Sequence, residues 1–228
     1  PEDARSCVDY IVSMLLAEKA IRDAQKDKLN AVARDMGVFN VQKFLSNLLD
    51  QDFGGAALVI VTAALFHVLF AEKEYRIVAH PVNQSGSSRS QFSDLDLYRD
   101  DKPYMGTELK DKPFTASDVE HAAETACEAG ASSLLFVAGR QSGFASQPPT
   151  YFARIHESYA VRGLYVGVTS IDALTDMVFA SHMDMEPAKM LNVVSETAEA
   201  IGALEAQMWI YQQLSGLSRT IAYSNMLR

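Results

Sequence analysis

The sequence predicts an α/β (α+β) fold in which helices pack around one mixed sheet. Three observations point there: apolar residues at helical spacing towards both ends, strand, hairpin, helix and strand signals in that order through the middle, and a globular composition. Of 228 residues, 48% are hydrophobic and 21% charged. That is enough for a sizeable core and excludes a disordered or collagen-like chain.

Residues 1–72 read as helical. Val8, Ile11, Val12, Leu15 and Leu16 repeat at i, i+3, i+4, i+7 and i+8, the stripe of an amphipathic helix. Phe39, Val41, Phe44, Leu45, Leu48 and Leu49 predict a shorter helix, which Gly54-Gly55 follows as a break. Residues 55–71 are an apolar run of 17 interrupted by His67. A membrane span needs about 20 such residues. With Asp52 before it and Glu72, Lys73 and Glu74 after it, the run lacks a positive-inside flank and predicts a buried helix, His67 being a satisfied core residue. Glu2, Asp3 and Asp9 stand where a signal peptide would be basic.

Residues 73–183 change character. Tyr75–Val82 has the β-branched content of a strand, and a polar loop covers 83–91. FSDLDLY (92–98) and YMGTELK (104–110) flank the turn RDDKP (99–103), which predicts a hairpin. Ser117, with Glu120 three residues on, is the expected cap of a helix whose buried stripe is Val119, Ala122, Ala123, Ala126 and Cys127. SSLLFVAG (132–139) and GLYVGVTS (163–170) are further strands, separated by a Gly/Pro-bearing loop (139–149) and a helical stretch (150–161). Residues 184–228 return to helix, with Met190, Val193, Val194, Ala198, Ile201, Leu204 and Met208 at helical spacing. The segments 1–72, 73–183 and 184–228 are expected to pack as one unit.

Charge narrows the partners. The net charge of −9, from 20 basic and 29 acidic residues, argues against indiscriminate coating of nucleic acid. The excess lies in 113–210, with four basic and twelve acidic residues, whereas 73–112 carries seven of each. Two cysteines, Cys7 and Cys127, cannot build a disulfide framework, so a reducing cytoplasmic compartment is expected. The five histidines lack zinc-ligand spacing, and no G-x-S-x-G, Walker A or G-x-G-x-x-G motif occurs.

The hairpin carries the sharpest chemical signal. Alternation along a strand puts Asp94 and Asp96 on one face, and Glu108 and Lys110 on one face of the partner strand. Folding the hairpin can then converge two or three carboxylates beside an ammonium. Hard oxygen ligands of this kind hold Mg²⁺, and phosphodiester hydrolysis is the chemistry they suit. The main-chain carbonyl of Leu109 is a further candidate ligand. By itself, E-x-K is a common strand-edge triplet, and Asp-x-Asp before a turn equally reads as an edge-protecting pattern.

The run SDLDLYRDDKPYMGTELK resembles the signature of the PD-(D/E)XK nuclease superfamily, with an Asp on one strand and E-x-K on the next. TELKDKPFTASDVEHAAETACEAGASSLLFVAGR is similar, within that superfamily, to SacI-type type II restriction endonucleases. The resemblance implies an αβββαβ restriction-endonuclease-like core and Mg²⁺-dependent cleavage of double-stranded DNA at a short specific sequence by a homodimer. It implies Asp94 as first metal carboxylate, Glu108 as second and Lys110 as catalytic lysine, with Asp96 a rival for the first position. Ser93 stands where the superfamily often has Pro, and Glu72 or Glu74 could supply an acid from the preceding helix. For DNA contacts the candidates are Asn83, Gln84, Ser87, Arg89 and Gln91 in one loop and Arg140, Gln141 and Ser142 in another. The competing reading is a non-catalytic α/β interaction module that keeps a decayed nuclease core. No membrane association is expected.

Overall fold

The computed structural model describes residues 2–34, 36–70, 74–82, 91–144 and 152–226. Along the chain run α1 (Glu2–Arg34), α2 (Val38–Leu49), α3 (Ala56–Leu69), β1 (Tyr75–Ala79), β2 (Leu95–Arg99), β3 (Lys102–Lys110), α4 (Ala116–Glu128), β4 (Ser133–Ala138), α5 (Ala153–Ala160), β5 (Tyr165–Ser170), α6 (Ile171–Ser181), α7 (Pro187–Ala200) and α8 (Leu204–Met226). The five strands lie in sequence order in one sheet. β1, β2 and β3 pair antiparallel, and β3, β4 and β5 pair parallel, so the sheet is mixed as expected.

The two faces of the sheet meet different helices. Leu95 and Leu97 of β2, Leu109 of β3 and Val137 of β4 join the larger core, which α3 fills together with α2, α6, α7 and α8. α3 is buried continuously from Ala56 to Phe66. Its apolar surface on every side follows from that position, with β1 on one flank and α2, α6 and α7 on the others. The apolar run read as a buried helix is therefore the centre of the molecule. Among the described residues no helix is long and apolar enough to cross a membrane. On the other face, Leu134, Phe136 and Ala138 of β4 and Val166 of β5 pack with Phe114, Val119, Ala123 and Ala126 and with Phe152 and Ile155. α4 and α5 contribute that cover, and they lie on β3, β4 and β5.

Several local expectations are corrected. The hairpin turn is only Asp100-Asp101, both with positive φ (52° and 57°), and Lys102 already belongs to β3. A two-residue turn of that handedness matches the twist of the flanking strands. β2 starts at Leu95, so Asp94 sits in the bend before it. The cap of α4 is Thr115 with Asp118, not Ser117 with Glu120: the Thr115 N–H and Oγ1–H both donate to Asp118 Oδ2, at 2.7 and 2.8 Å. His67 is exposed rather than a core residue, because α3 leaves the packed interior after Phe66. The α1 stripe of Val8, Ile11, Val12, Leu15 and Leu16 is exposed as well, although α1 runs alongside α7 and α8.

Candidate active site

Asp94, Glu108 and Lys110 stand on the face of the sheet that carries α4 and α5, at the ends of β2 and β3 away from the hairpin turn. The carboxyl ends of parallel strands are the usual ligand-bearing edge of such sheets, and here that edge is formed by β3 and β4. Glu108 is paired with Phe136, and Lys110 with Ala138. The period-2 alternation of β3 then sends both Glu108 and Lys110 to the same side, where Lys110 Nζ lies 2.9 Å from Glu108 Oε1.

Asp94 arrives by a different route. The β2–β3 ladder stops at Leu95 opposite Thr107. Beyond it, the Leu109 N–H donates to Asp94 Oδ2 at 2.9 Å, so a side chain replaces the missing strand. The carbonyl of Lys110 accepts from the Gly139 N–H at 2.8 Å, on the β4 side of β3. Successive residues of a strand aim their N–H and C=O to opposite sides. The carbonyl of Leu109 therefore points towards Asp94, the orientation a further ligand needs.

The electrostatics follow from this crowding. Burial first, and the Glu108 carboxylate second, push the Asp94 carboxyl up to about 6, against the Leu109 N–H, Lys110 and His80, which pull it down. Burial draws the Lys110 ammonium down, but Glu108, Asp94 and Asp118 outweigh it and raise its pKa. Lys110 is thus held as a cation beside two carboxylates that repel each other. A divalent cation would relieve that repulsion, and Mg²⁺ is commonly bound through one or two carboxylates with waters completing its shell. The donor set fits. No third His, Cys, Asp or Glu side chain joins these two to make a larger metal-binding group among the described residues.

The rival carboxylate is elsewhere. Asp96 is fully buried, with its oxygens engaged by Ser93 Oγ at 2.6 Å and His80 Nε2 at 2.8 Å. Asp96 keeps the expected parity, on the face of β2 opposite Leu95 and Leu97, but its oxygens are taken by Ser93 and His80, whereas Asp94 feels the charges of Glu108 and Lys110. Glu74 is exposed and precedes Tyr75, which pairs with Arg99 at the turn end of the hairpin, so it stands at the wrong end of β1. Glu72 lies outside the described residues.

The two candidate DNA loops fare differently. Asn83, Gln84, Ser87 and Arg89 lie outside the described residues, and Gln91 is half-buried at the entry to the Asp94 bend. Arg140 is committed within the protein. Its Nε and Nη2 donate to Asp172 Oδ1 at 3.1 and 2.9 Å, Nη1 reaches the Ser46 carbonyl at 3.0 Å, and Asp50 completes the clamp. Ser142 is buried and donates to the Gly139 carbonyl at 2.6 Å. Gln141 is exposed, and its backbone N–H donates to Asp111 Oδ1 at 3.1 Å. Of Arg140, Gln141 and Ser142, the first and last are tied to the fold by their side chains, and the exposed Gln141 by its backbone. His80 and Ser93 were not singled out from sequence as members of the site, and no local pattern marks them.

Residues 34–140 match the family model described as the SacI restriction endonuclease C-terminal domain. The match runs from the last residue of α1 to just past β4 and contains Asp94, Glu108 and Lys110. No curated protein matches the chain.

Proposed function

We propose that this chain, whose residues 34–140 match the SacI restriction endonuclease C-terminal domain, is a Mg²⁺-dependent enzyme that hydrolyses double-stranded DNA at a short specific sequence. In this reading it works as a homodimer in the cytoplasm. The observation that carries the reading is the trio itself: two half-buried carboxylates in mutual repulsion with an ammonium 2.9 Å from one of them.

Asp94 and Glu108 would hold the cation, with the Leu109 carbonyl as a third ligand. Mg²⁺ held by these residues would supply stabilisation of negative charge on the phosphate and would lower the pKa of a water. The protein's own contribution is positional and electrostatic. In hydrolysis a water oxygen forms a bond to phosphorus, an ester oxygen departs, and a proton passes from the first to the second. Lys110, held cationic by its neighbours, is suited to grip a phosphate oxygen or orient the attacking water. Its raised pKa disfavours a role as the proton acceptor. α4 and α5 lie on β3–β5 on the face that carries the trio.

Calorimetric titration with Mg²⁺ tests this directly. Saturable binding that disappears in both Asp94→Ala and Glu108→Ala supports it. Absence of binding heat with the parent protein, across temperatures, favours the decayed, non-catalytic module instead.

A further inference from the structure

We propose that Asp96, together with His80 and Ser93, positions Asp94 for metal binding and does not itself ligate the metal. The inference rests on the reading of Asp94 as a metal carboxylate.

Asp94 has no strand of its own to hold it. It precedes β2, and its carboxylate reaches Leu109 only if the bend 92–94 keeps one conformation. Asp96 is the fixed point for that bend. It sits inside the β1–β2–β3 ladder, opposite Val78 on one side and Gly106 on the other. Its Oδ1 takes the Ser93 hydroxyl at 2.6 Å, and its Oδ2 takes His80 Nε2 at 2.8 Å and the Phe92 N–H at 3.4 Å. Every one of these partners touches the segment around Asp94. Ser93 Oγ also accepts the Thr107 N–H of β3 at 2.8 Å, which ties the bend to the strand that carries Glu108. The His80 backbone N–H donates to the Asp94 carbonyl at 3.0 Å, which ties it to the end of β1. Asp94 is therefore held by its own main chain from one side and through Ser93 from the other, and Asp96 joins the two holds.

Space enforces the same arrangement. A Cβ on Gly106, the residue opposite Asp96, would lie 3.1 Å from Phe92 Cε2 and 3.4 Å from Ser93 Cβ. The bend is packed directly on β3, and a side chain at Gly106 would have to push the Phe92 ring aside by a few tenths of an ångström. A fully buried carboxylate with four donors, the Tyr98 hydroxyl at 3.5 Å being the fourth, is also a poor metal ligand, because coordination would require it to release them.

The test compares residues that cannot ligate through a carboxylate. Mn²⁺ affinity is measured by calorimetry, with thermal unfolding and DNA cleavage kinetics, for the parent, Ser93→Ala, His80→Ala, His80→Gln and Asp94→Asn. Ser93→Ala and His80→Ala are expected to unfold cooperatively and to weaken Mn²⁺ binding about tenfold, the usual effect of losing a partner behind a metal ligand. kcat should fall with them while KM for DNA stays put. His80→Gln, whose amide can donate to Asp96 as the ring nitrogen does, should recover most of the affinity. Parent-like Mn²⁺ affinity in both alanine variants would overturn the inference, as would a glutamine variant as weak as the alanine one. If Asp94→Asn binds Mn²⁺ like the parent, the metal reading itself fails, and this inference falls with it. Loss of binding in Asp94→Asn with parent-like alanine variants overturns the positioning role alone.

Discussion

The Leu109 N–H donates to Asp94 Oδ2 at 2.9 Å, and this one bond joins the bend before β2 to the strand that carries Glu108 and Lys110. It substitutes a side chain for the next rung of a ladder that ends at Leu95 and Thr107. The cost of gathering charge there is visible in the Asp94 carboxyl, whose pKa rises from 3.8 to about 6.

That shift makes a stability prediction. The folded protein binds the Asp94 proton more tightly than the unfolded chain, so the stabilisation is complete below pH 4 and is lost as pH rises to about 6. A shift of about two units is worth about 3 kcal/mol at most. In metal-free buffer at pH 8, Asp94→Asn should therefore be more stable than the parent by about 1–3 kcal/mol, and the difference should vanish near pH 3.5. Urea unfolding across this range checks it.

Lys110→Ala removes the cation beside Glu108, 2.9 Å away, which Asp94 also feels. Cleavage should drop at least about a hundredfold, as expected for loss of a charge that stabilises a transition state. The unfolding midpoint should change little, since the side chain is 40% exposed. Lys110→Arg should restore little, because a planar guanidinium does not reproduce the compact ammonium. Single-turnover cleavage rates decide both.

Gly139→Ala probes the edge where β4 leaves the sheet. A Cβ there would lie 2.1 Å from Asp111 Oδ1 and 2.9 Å from Asp111 Cα, so a rotamer change alone cannot relieve it. Asp111 Oδ1 also accepts the Gln141 N–H. A loss of about 1–3 kcal/mol is expected, the range for overpacking a close contact, and denaturant midpoints measure it.

Arg140 separates a structural role from DNA contact. Its guanidinium joins Ser46 and Asp50 at α2 to Asp172 at the start of α6. Arg140→Ala should destabilise the fold by about 1–2 kcal/mol, modest because both carboxylates are left largely in water. The slope of DNA affinity against salt should not change. A phosphate-gripping arginine would instead lower that slope by about one unit, which binding at several salt concentrations would reveal.

Legibility in the sequence followed the range of the interactions. The strands, the buried α3 and the stripe of α4 are set by neighbours within two to eight residues, and periodicity exposes them. Glu108 and Lys110 were legible for that reason, because both lie inside a regular strand. Asp94 against Asp96 could not be decided by parity, since the two share it, and what separates them is the engagement of Asp96 by Ser93 and His80. The roles of His80 and Ser93 depend on pairing 16 and 14 residues along the chain, which no local pattern encodes. Arg140 looked like a free loop cation because its partners Asp50 and Asp172 are 90 and 32 residues away. α6 had a usable signal that went unread: Ser170 caps it by accepting the Ala173 N–H at 3.1 Å, and Ile171, Leu174, Thr175, Val178 and Phe179 repeat at helical spacing.

Digestion of plasmid DNA of mixed sequence, with parent and Glu108→Gln proteins side by side in Mg²⁺ and in chelator, tests the central claim most directly. The account predicts discrete fragments from the parent in Mg²⁺, none in chelator, and none from Glu108→Gln under either condition. Fragments of equal yield from Glu108→Gln and parent would contradict it.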